Sequence, residues 1–292
     1  MPEEQITKDQ EIIKRGLNSN PKIYIPNDTL IETLHSLEEL PIAQTEYAIH
    51  PMKLEDALYD AHTFLNHYYK LRKVGHPVTK RIFGKDRLKI KMISPLKLPI
   101  VLKSSDDIFS GSVSEVISKE GCYIIFREIN LSSTISEHTS ASYIHEVTHT
   151  QIDGIQKSIR EYYNLEVFSI FNELFHASIL GNDERILRLN DCRRIYEMSI
   201  SAQELKDHST GISPMSRDEL LDCGKYLISG LKAYNLFITF YNGTTEIKNE
   251  ILKDIQSIFD GYLTIEEVLL KYDATLEASQ DPKRLIKYFN RG

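Results

Sequence analysis

An eight-residue stretch, SYIHEVTH at residues 142–149, decides what fold is expected of this chain. Apolar residues recur at helical spacing through it, so the stretch is predicted to be an α-helix. At about 100° per residue, His145 and His149 fall on one face of that helix, one turn apart. Two imidazoles placed in this way can bind a single metal ion, and the stretch therefore predicts a metal site on a helix.

Glu146 lies one step round the predicted helix from the two histidines. A carboxylate at that place can accept a proton from water and pass it to a leaving amine, which is the role of the glutamate in HExxH metalloproteases. Zinc suits this chemistry because it makes water acidic near neutral pH and polarises a carbonyl without redox steps. The alternative is a chance match in a chain with ten histidines.

The flanking sequence favours the same arrangement. Residues 121–130 are β-branched and aromatic over a short run and are predicted to form a strand, while residues 131–136 form a polar turn with several possible N-caps. Gly154 is expected to end the helix. An extended peptide could pair with the strand at 122–129 if that strand lies at a sheet edge; the alternative is an internal strand.

A third zinc ligand is expected from the next helix, predicted at residues 162–180. Its apolar residues form a broad face, so this helix is expected in the core. Glu166 and Glu173 are seven positions apart, which places them on nearly the same side and about 10 Å apart along the axis. From the residues alone, either carboxylate could bind zinc while the other orients a ligand.

The segment EVFSIFNEL at 166–174 resembles the E-x-x-S-x-x-x-E segment that follows HExxH in the oligoendopeptidase F and thimet oligopeptidase family of zinc peptidases. The resemblance implies that His145, His149 and Glu166 bind one Zn²⁺ per chain and that Glu146 is the general base of a gluzincin-type endopeptidase. It also implies that Glu173 is a carboxylate that holds a histidine ligand in place and fixes its tautomer.

A second segment, KYLISGLKA at 225–233, is similar to the tyrosine-bearing helix of the same family. The resemblance implies that Tyr226 donates a hydrogen bond to the oxyanion of the tetrahedral intermediate. The alternative is an ordinary core or rim tyrosine, since the chain contains sixteen.

Three further residues near the motif need an interpretation. Asp153 follows His149 by four positions and could hold the second nitrogen of a ligand, although a solvated loop aspartate is the alternative. His176 lies one turn beyond Glu173 and could bind a metal, but a hydrogen-bonded core histidine is the alternative. His138 is predicted to lie on the surface.

Composition favours an intracellular protein. The chain has 292 residues, is 41% hydrophobic and can bury a large core. Its three cysteines are widely spaced, without a C-x-x-C pair, and are expected to be buried free thiols of a reducing compartment. The first residues lack the apolar core of a signal peptide, and no run approaches about 18 apolar residues. A cytoplasmic location without membrane contact is therefore expected.

Charge argues against nucleic acid as a partner, because the net charge of −7 provides no concentrated basic surface. The one basic stretch, at 80–91, alternates charged residues with isoleucine and leucine. This alternation is typical of an exposed strand face at a sheet edge.

The predicted fold class is mainly α (α+β), with a zincin-like metallopeptidase core and a small antiparallel or mixed sheet beside the HExxH helix. Residues 1–292 are expected to form a single catalytic domain. Its parts are a helical N-terminal part at 1–74, the small sheet at 75–135 and a helical part carrying the metal site at 136–292.

Two functions from different classes fit these observations. The first is a zinc endopeptidase that cleaves oligopeptides or unfolded segments, with a peptide or protein substrate as its partner. The second is a zinc-containing or degenerate peptidase-like protein that binds without turnover. Glu146 favours the enzyme, because a site used only for binding has no need of a general base.

Overall fold

The computed structural model is mainly helical with one small mixed sheet, as the sequence predicts. The structure describes residues 23–40, 50–82, 85–104, 111–117, 124–152, 163–164, 166–180, 184–279 and 283–290. The first helices are α1 (Asp28–Glu38), α2 (Leu54–Tyr68), α3 (Thr139–Ile152), α4 (Val167–Ile179) and α5 (Arg185–Ser209). They are followed by α6 (Arg217–Asn242), α7 (Thr245–Phe259), α8 (Ile265–Lys271), α9 (Leu276–Ser279) and α10 (Lys283–Phe289). The strands are β1 (Val74–Ile82), β2 (Lys85–Ile93), β3 (Ile100–Lys103), β4 (Gly111–Ile117) and β5 (Ile124–Ser132).

The chain divides into two compact units. Of the described residues, those within 50–152 and 259–262 belong to the first, and those within 23–40, 163–258 and 263–290 belong to the second. The single catalytic domain expected over residues 1–292 stays a prediction.

The sheet of the first unit is centred on β5. Strands β1 and β3 pair with β5 in parallel, whereas β4 pairs with it antiparallel. Ile129 shows that two edges of β5 are occupied, because it pairs with Ile100 of β3 and also with Val113 of β4. The interpretation of residues 122–129 as a substrate-binding edge strand is therefore wrong. Among the described strands, β3 and β4 each have β5 as their one neighbour, and β4 lies at an edge of the sheet.

The basic stretch at 80–91 lies in the antiparallel pair of β1 and β2. Strand β2 ends the strand order β2-β1-β5-β3, which places it at the other edge of the sheet. Lys89 and Lys91 are exposed there, and Ile90 between them is exposed as well, so these positions do not show the buried apolar face of a strict alternation. Lysines at such an edge oppose pairing with other chains.

In the first unit, the described helices α2 and α3 pack against each other through small residues and one polar pair. Helix α2 buries Ala57 and Ala61, and the Ser140 hydroxyl on α3 donates to the Ala57 carbonyl at 3.0 Å. His62 Nε2 lies 3.1 Å from the hydroxyl of Tyr143, which is fully buried. These contacts hold the beginning of α3, the helix that carries HExxH.

The second unit is helical in its described part. Helix α4 is buried on nearly every side, and the ring of Phe171 lies against those of Phe237 and Phe240 on α6. Helix α6 begins after Ser216, whose hydroxyl accepts from the Glu219 backbone in a capping box. Across both units, the described helices include none with the length and apolar character needed to span a bilayer.

Candidate metal centre

The HExxH motif lies within helix α3, as predicted. The Nε2 atoms of His145 and His149 lie 3.0 Å apart, and their ring centroids lie 4.7 Å apart. The spacing follows from the helix, because residues four apart project from the same face one turn from each other. The two imidazoles therefore converge on one point.

Glu166 supplies the third donor that the sequence predicts. One ligand atom from each of His145, His149 and Glu166 lies within 4.8 Å of the other two. This group of two nitrogens and one carboxylate oxygen could hold a metal ion. The structure thus brings together the three residues predicted as metal ligands.

The donor set fits zinc in its chemistry and its spacing. Two histidines and a glutamate are a common protein ligand set for a catalytic zinc, which leaves one coordination position open. Tetrahedral coordination with Zn–N distances of about 2.0–2.1 Å places two ligand nitrogens about 3.3 Å apart. The observed separation of 3.0 Å between the histidine nitrogens is close to that value.

Glu146 is buried on α3, with 5% of its surface exposed. Its carboxylate lies against Gly111 at the start of β4: a Cβ atom at residue 111 would lie 2.7 Å from Glu146 Oε1. That distance is too short for a side chain, so the carboxylate occupies space that glycine leaves open. Gly111 is not among the residues predicted for the site, although a glycine at the beginning of a β-like run is a signal that could have indicated it.

The sequence predicts that Glu166 lies inside a helix, but the structure places it just before one. Helix α4 begins at Val167, and Glu166 is its N-cap residue, with helical backbone angles and 6% of its surface exposed. The Val167 amide donates to the Asn164 carbonyl at 3.1 Å, so a turn precedes the helix. A carboxylate at a helix N-terminus is favoured by the helix dipole.

Lys225 on α6 faces the Glu166 carboxylate. Its Nζ lies 3.5 Å from Glu166 Oε1 and 3.5 Å from Asp222 Oδ1. Burial would lower the pKa of Lys225, but the nearby charges of Glu166, Tyr226 and Asp222 outweigh burial and raise it. The ammonium group is therefore charged where it meets Glu166.

Glu173 is buried and paired with arginines of α5. One of its oxygens accepts from Arg194 Nη2, and the other lies 3.9 Å from Arg193 Nη1. Arg194 also donates to Glu197 Oε2 at 2.7 Å. Burial would lower the pKa of Arg194, but the charges of Glu173 and Glu197 raise it overall. The predicted role of Glu173, to hold a histidine ligand in place, stays a prediction.

The last turn of α3 is held by Arg72. The Arg72 amide donates to Gln151 Oε1 at 2.7 Å, and its Nη2 donates to the Gln151 carbonyl at 2.9 Å. A guanidinium at this place satisfies a carbonyl that the end of a helix leaves without a helical partner. The turn that carries His149 is therefore anchored at its end.

The other residues singled out in the sequence have different outcomes. Tyr226 lies on α6 with 42% of its surface exposed, and Lys225 Nζ lies 4.6 Å from the centre of its ring. Its predicted catalytic role stays a prediction, and Asp153 lies outside the described residues. His176 is buried on α4, as expected of a core histidine. The surface position predicted for His138 is wrong, because this residue is fully buried just before α3.

Two of the three cysteines fall within the described residues. Cys192 and Cys223 are free of disulfides, as predicted, but they are half-buried rather than buried. The Cys223 thiol donates to Glu204 Oε2 at 3.0 Å. Burial is the main factor that raises the pKa of Cys192, to about 11, so this thiol is protonated at neutral pH and a poor nucleophile.

Comparison of the chain with protein-family models, with curated proteins and with solved structures finds no match.

Proposed function

We propose that this chain is a zinc-dependent metallopeptidase that cleaves oligopeptides or unfolded segments. The observation that carries the proposal is the convergence of His145, His149 and Glu166, whose ligand atoms lie within 4.8 Å of one another. Glu146 supports it, because this buried carboxylate follows His145 directly on α3. In this proposal the three donors bind the metal ion, and Glu146 takes part in catalysis.

Glu146 is assigned the proton transfers of peptide hydrolysis. When bound, zinc supplies Lewis-acid polarisation of the substrate carbonyl and makes water acidic near neutral pH. Glu146 accepts one proton as the water oxygen forms its bond to the carbonyl carbon. It returns that proton to the amide nitrogen as the carbon–nitrogen bond breaks, so the products are one carboxyl group and one amine. Tyr226 is proposed to donate a hydrogen bond to the oxyanion.

The substrate is proposed to bind along β4. This strand lies at the sheet edge, and its first residue, Gly111, lies against Glu146. An extended peptide that pairs with such an edge is held by backbone hydrogen bonds, which fix its register without strong selection for its sequence. Unfolded or short peptides suit this mode, since their backbone groups are available for pairing.

The same features support a zincin-like core and a relationship to the oligoendopeptidase F and thimet oligopeptidase family. A small mixed sheet accompanies the HExxH helix, and a glutamate of the next segment lies near its two histidines, which supports both proposals. In that setting Glu173 is proposed to hold a histidine ligand, in addition to its pairing with Arg194.

The experiment that tests the proposal pairs metal analysis with cleavage of a peptide library. The wild-type chain and Glu146→Gln should each contain one zinc ion, whereas cleavage should fall by about 10²- to 10⁴-fold in the variant. Glu32→Gln, which changes an exposed glutamate on α1, is the matched control and should cleave as the wild type does. Undiminished cleavage by Glu146→Gln would reject Glu146 as the base. Zinc binding without cleavage by the wild type would favour the binding protein instead.

A further inference from the structure

One stripe of α6 holds the short segment that ends in Glu166. Lys225, Ser229 and Lys232 are spaced by four and three residues, so they project from the same face of the helix. Ser229 and Lys232 each donate a hydrogen bond to a residue of this segment, and Lys225 forms an ion pair with Glu166. The two hydrogen bonds join residues 66 and 68 positions apart in the sequence, so they are tertiary contacts.

Two of the bonds fix the backbone and the buried amide of the segment. The Ser229 hydroxyl donates to the Tyr163 carbonyl at 2.8 Å, and Lys232 Nζ donates to Asn164 Oδ1 at 2.6 Å. Asn164 and Ser229 are fully buried. Gly224 lets the helix approach closely, because a Cβ atom there would lie 3.0 Å from the Tyr163 ring. The segment before Glu166 is therefore tied down at successive residues.

The third contact is an ion pair between Lys225 and the Glu166 carboxylate. Lys225 Nζ lies 3.5 Å from Glu166 Oε1, and the two side chains are 14% and 8% exposed. A carboxylate uses one oxygen for a metal ion and can offer the other to a neighbouring donor, and such donors orient ligands in metal sites. Asp222, also 3.5 Å from Lys225, is a second anion that holds the ammonium group in place.

We propose that Lys225 is a positioning residue for Glu166, and that it holds this carboxylate in the orientation that binds the metal ion. The inference rests on the proposed metal site but not on peptide cleavage. Two effects of Lys225 oppose each other, since its charge repels a cation while its bond orders the ligand. The adjacent Asp222 and Glu166 offset the charge, so the ordering effect dominates.

The test is the zinc affinity of Lys225→Met, measured by competition with a chromophoric chelator. Loss of a partner that orients a ligand costs about 10- to 100-fold in metal affinity. We expect a loss in that range for Lys225→Met, with retention near the wild-type value for Lys225→Arg, which keeps a donor and the charge. Lys253→Met removes the same charge from an exposed site on α7 and should change nothing.

A double-mutant cycle separates positioning from general damage to the fold. In a Glu166→Ala background, Lys225→Met should have no further effect on the remaining zinc affinity, because its partner is gone. The visible absorption of the cobalt-substituted chain should also change in Lys225→Met and not in Lys225→Arg. If Lys225→Met fails to fold, the zinc affinities of Lys225→Arg and Glu166→Ala still test the inference.

The outcomes distinguish this inference from the proposed function. Unchanged or tighter zinc binding by Lys225→Met would overturn the positioning role, even if the wild type cleaves peptides. A wild type that binds zinc without cleaving peptides would reject the peptidase. The zinc affinity of Lys225→Met would then still decide the positioning role of Lys225. A wild type that binds no zinc would overturn both.

Discussion

Gly111 and Glu146 occupy one shared space: a Cβ atom at residue 111 would lie 2.7 Å from Glu146 Oε1 and 3.2 Å from its Cγ. Real Cβ atoms do not approach other atoms so closely, so a side chain at residue 111 displaces either the carboxylate or the edge strand. The proposed general base, Glu146, therefore packs against the proposed substrate-binding strand only because residue 111 has no side chain.

Gly111→Ala should therefore impair catalysis and spare metal binding. We expect peptide cleavage to fall by about 10²-fold, since general base catalysis contributes roughly 10²–10⁴ and depends on geometry. The zinc content should remain one ion per chain. In a Glu146→Gln background the alanine should have little further effect on cleavage, because the base is already lost. An equal additional loss in that background would mean that residue 111 acts on something other than Glu146.

Glu166→Ala and Glu173→Ala should fail in different ways. Glu166→Ala should lose most of its zinc affinity while the metal-free chain keeps its stability. Glu173→Ala leaves the buried Arg194 without its closest carboxylate, which should lower the free energy of unfolding by about 3–5 kcal/mol. Urea unfolding of the metal-free chains and zinc titration of the folded chains measure the two effects. Loss of zinc from Glu173→Ala with stability unchanged would reverse the assignment.

Backbone pairing along β4 makes a prediction about substrates. Methylation of peptide nitrogens whose N–H groups face β4 should lower kcat/KM by about tenfold each, the effect of roughly one lost hydrogen bond. Methylation shifted by one residue should have a small effect, because alternate N–H groups point to opposite edges. A scan of singly methylated peptides, made from one cleaved sequence, measures this periodicity. Equal losses at every position would argue against β-pairing with the edge strand.

Lys232 should give stability a particular dependence on pH. Burial lowers the pKa of Lys232 to about 8, with the charge of Glu266 opposing it, while the ordinary lysine value is 10.5. Between these values the unfolded chain binds a proton that the folded chain does not, so the free energy of unfolding rises with pH. The contribution is lost as the pH falls through 8.

The comparison of wild type with Lys232→Met isolates that slope. Between pH 8 and 10.5 the wild type should gain stability relative to the variant, by at most about 1.4 kcal/mol per pH unit. Below pH 8 the difference between the two should be constant. Urea midpoints measured across the range supply the numbers. A difference that is flat above pH 8 would contradict the shifted pKa.

The helices could be predicted because their signals are local. The apolar spacing through residues 142–149 predicts a helix, and the structure has α3 there. The motif in residues 142–149 needed only helical spacing to place His145 and His149 together. A pattern read along the chain is sufficient wherever neighbours in sequence determine the structure.

The start of the helix after the motif could not be predicted, because distant residues determine it. Helical spacing extends the predicted helix back to residue 162, yet the helix begins at Val167. Lys232, 68 positions from Asn164 in the sequence, bonds to its side chain and holds it in the preceding turn. Strand order follows the same rule, because the pairing of Ile129 with both Ile100 and Val113 is tertiary information.

The zinc content of the purified chain tests the central claim most directly. We predict one zinc ion per wild-type chain after dialysis, and far less in each of His145→Ala, His149→Ala and Glu166→Ala under the same conditions, because each variant removes one of the three converging donors. Elemental analysis against protein concentration gives the ratio. A wild type without zinc, or three variants that retain it as the wild type does, would contradict the account.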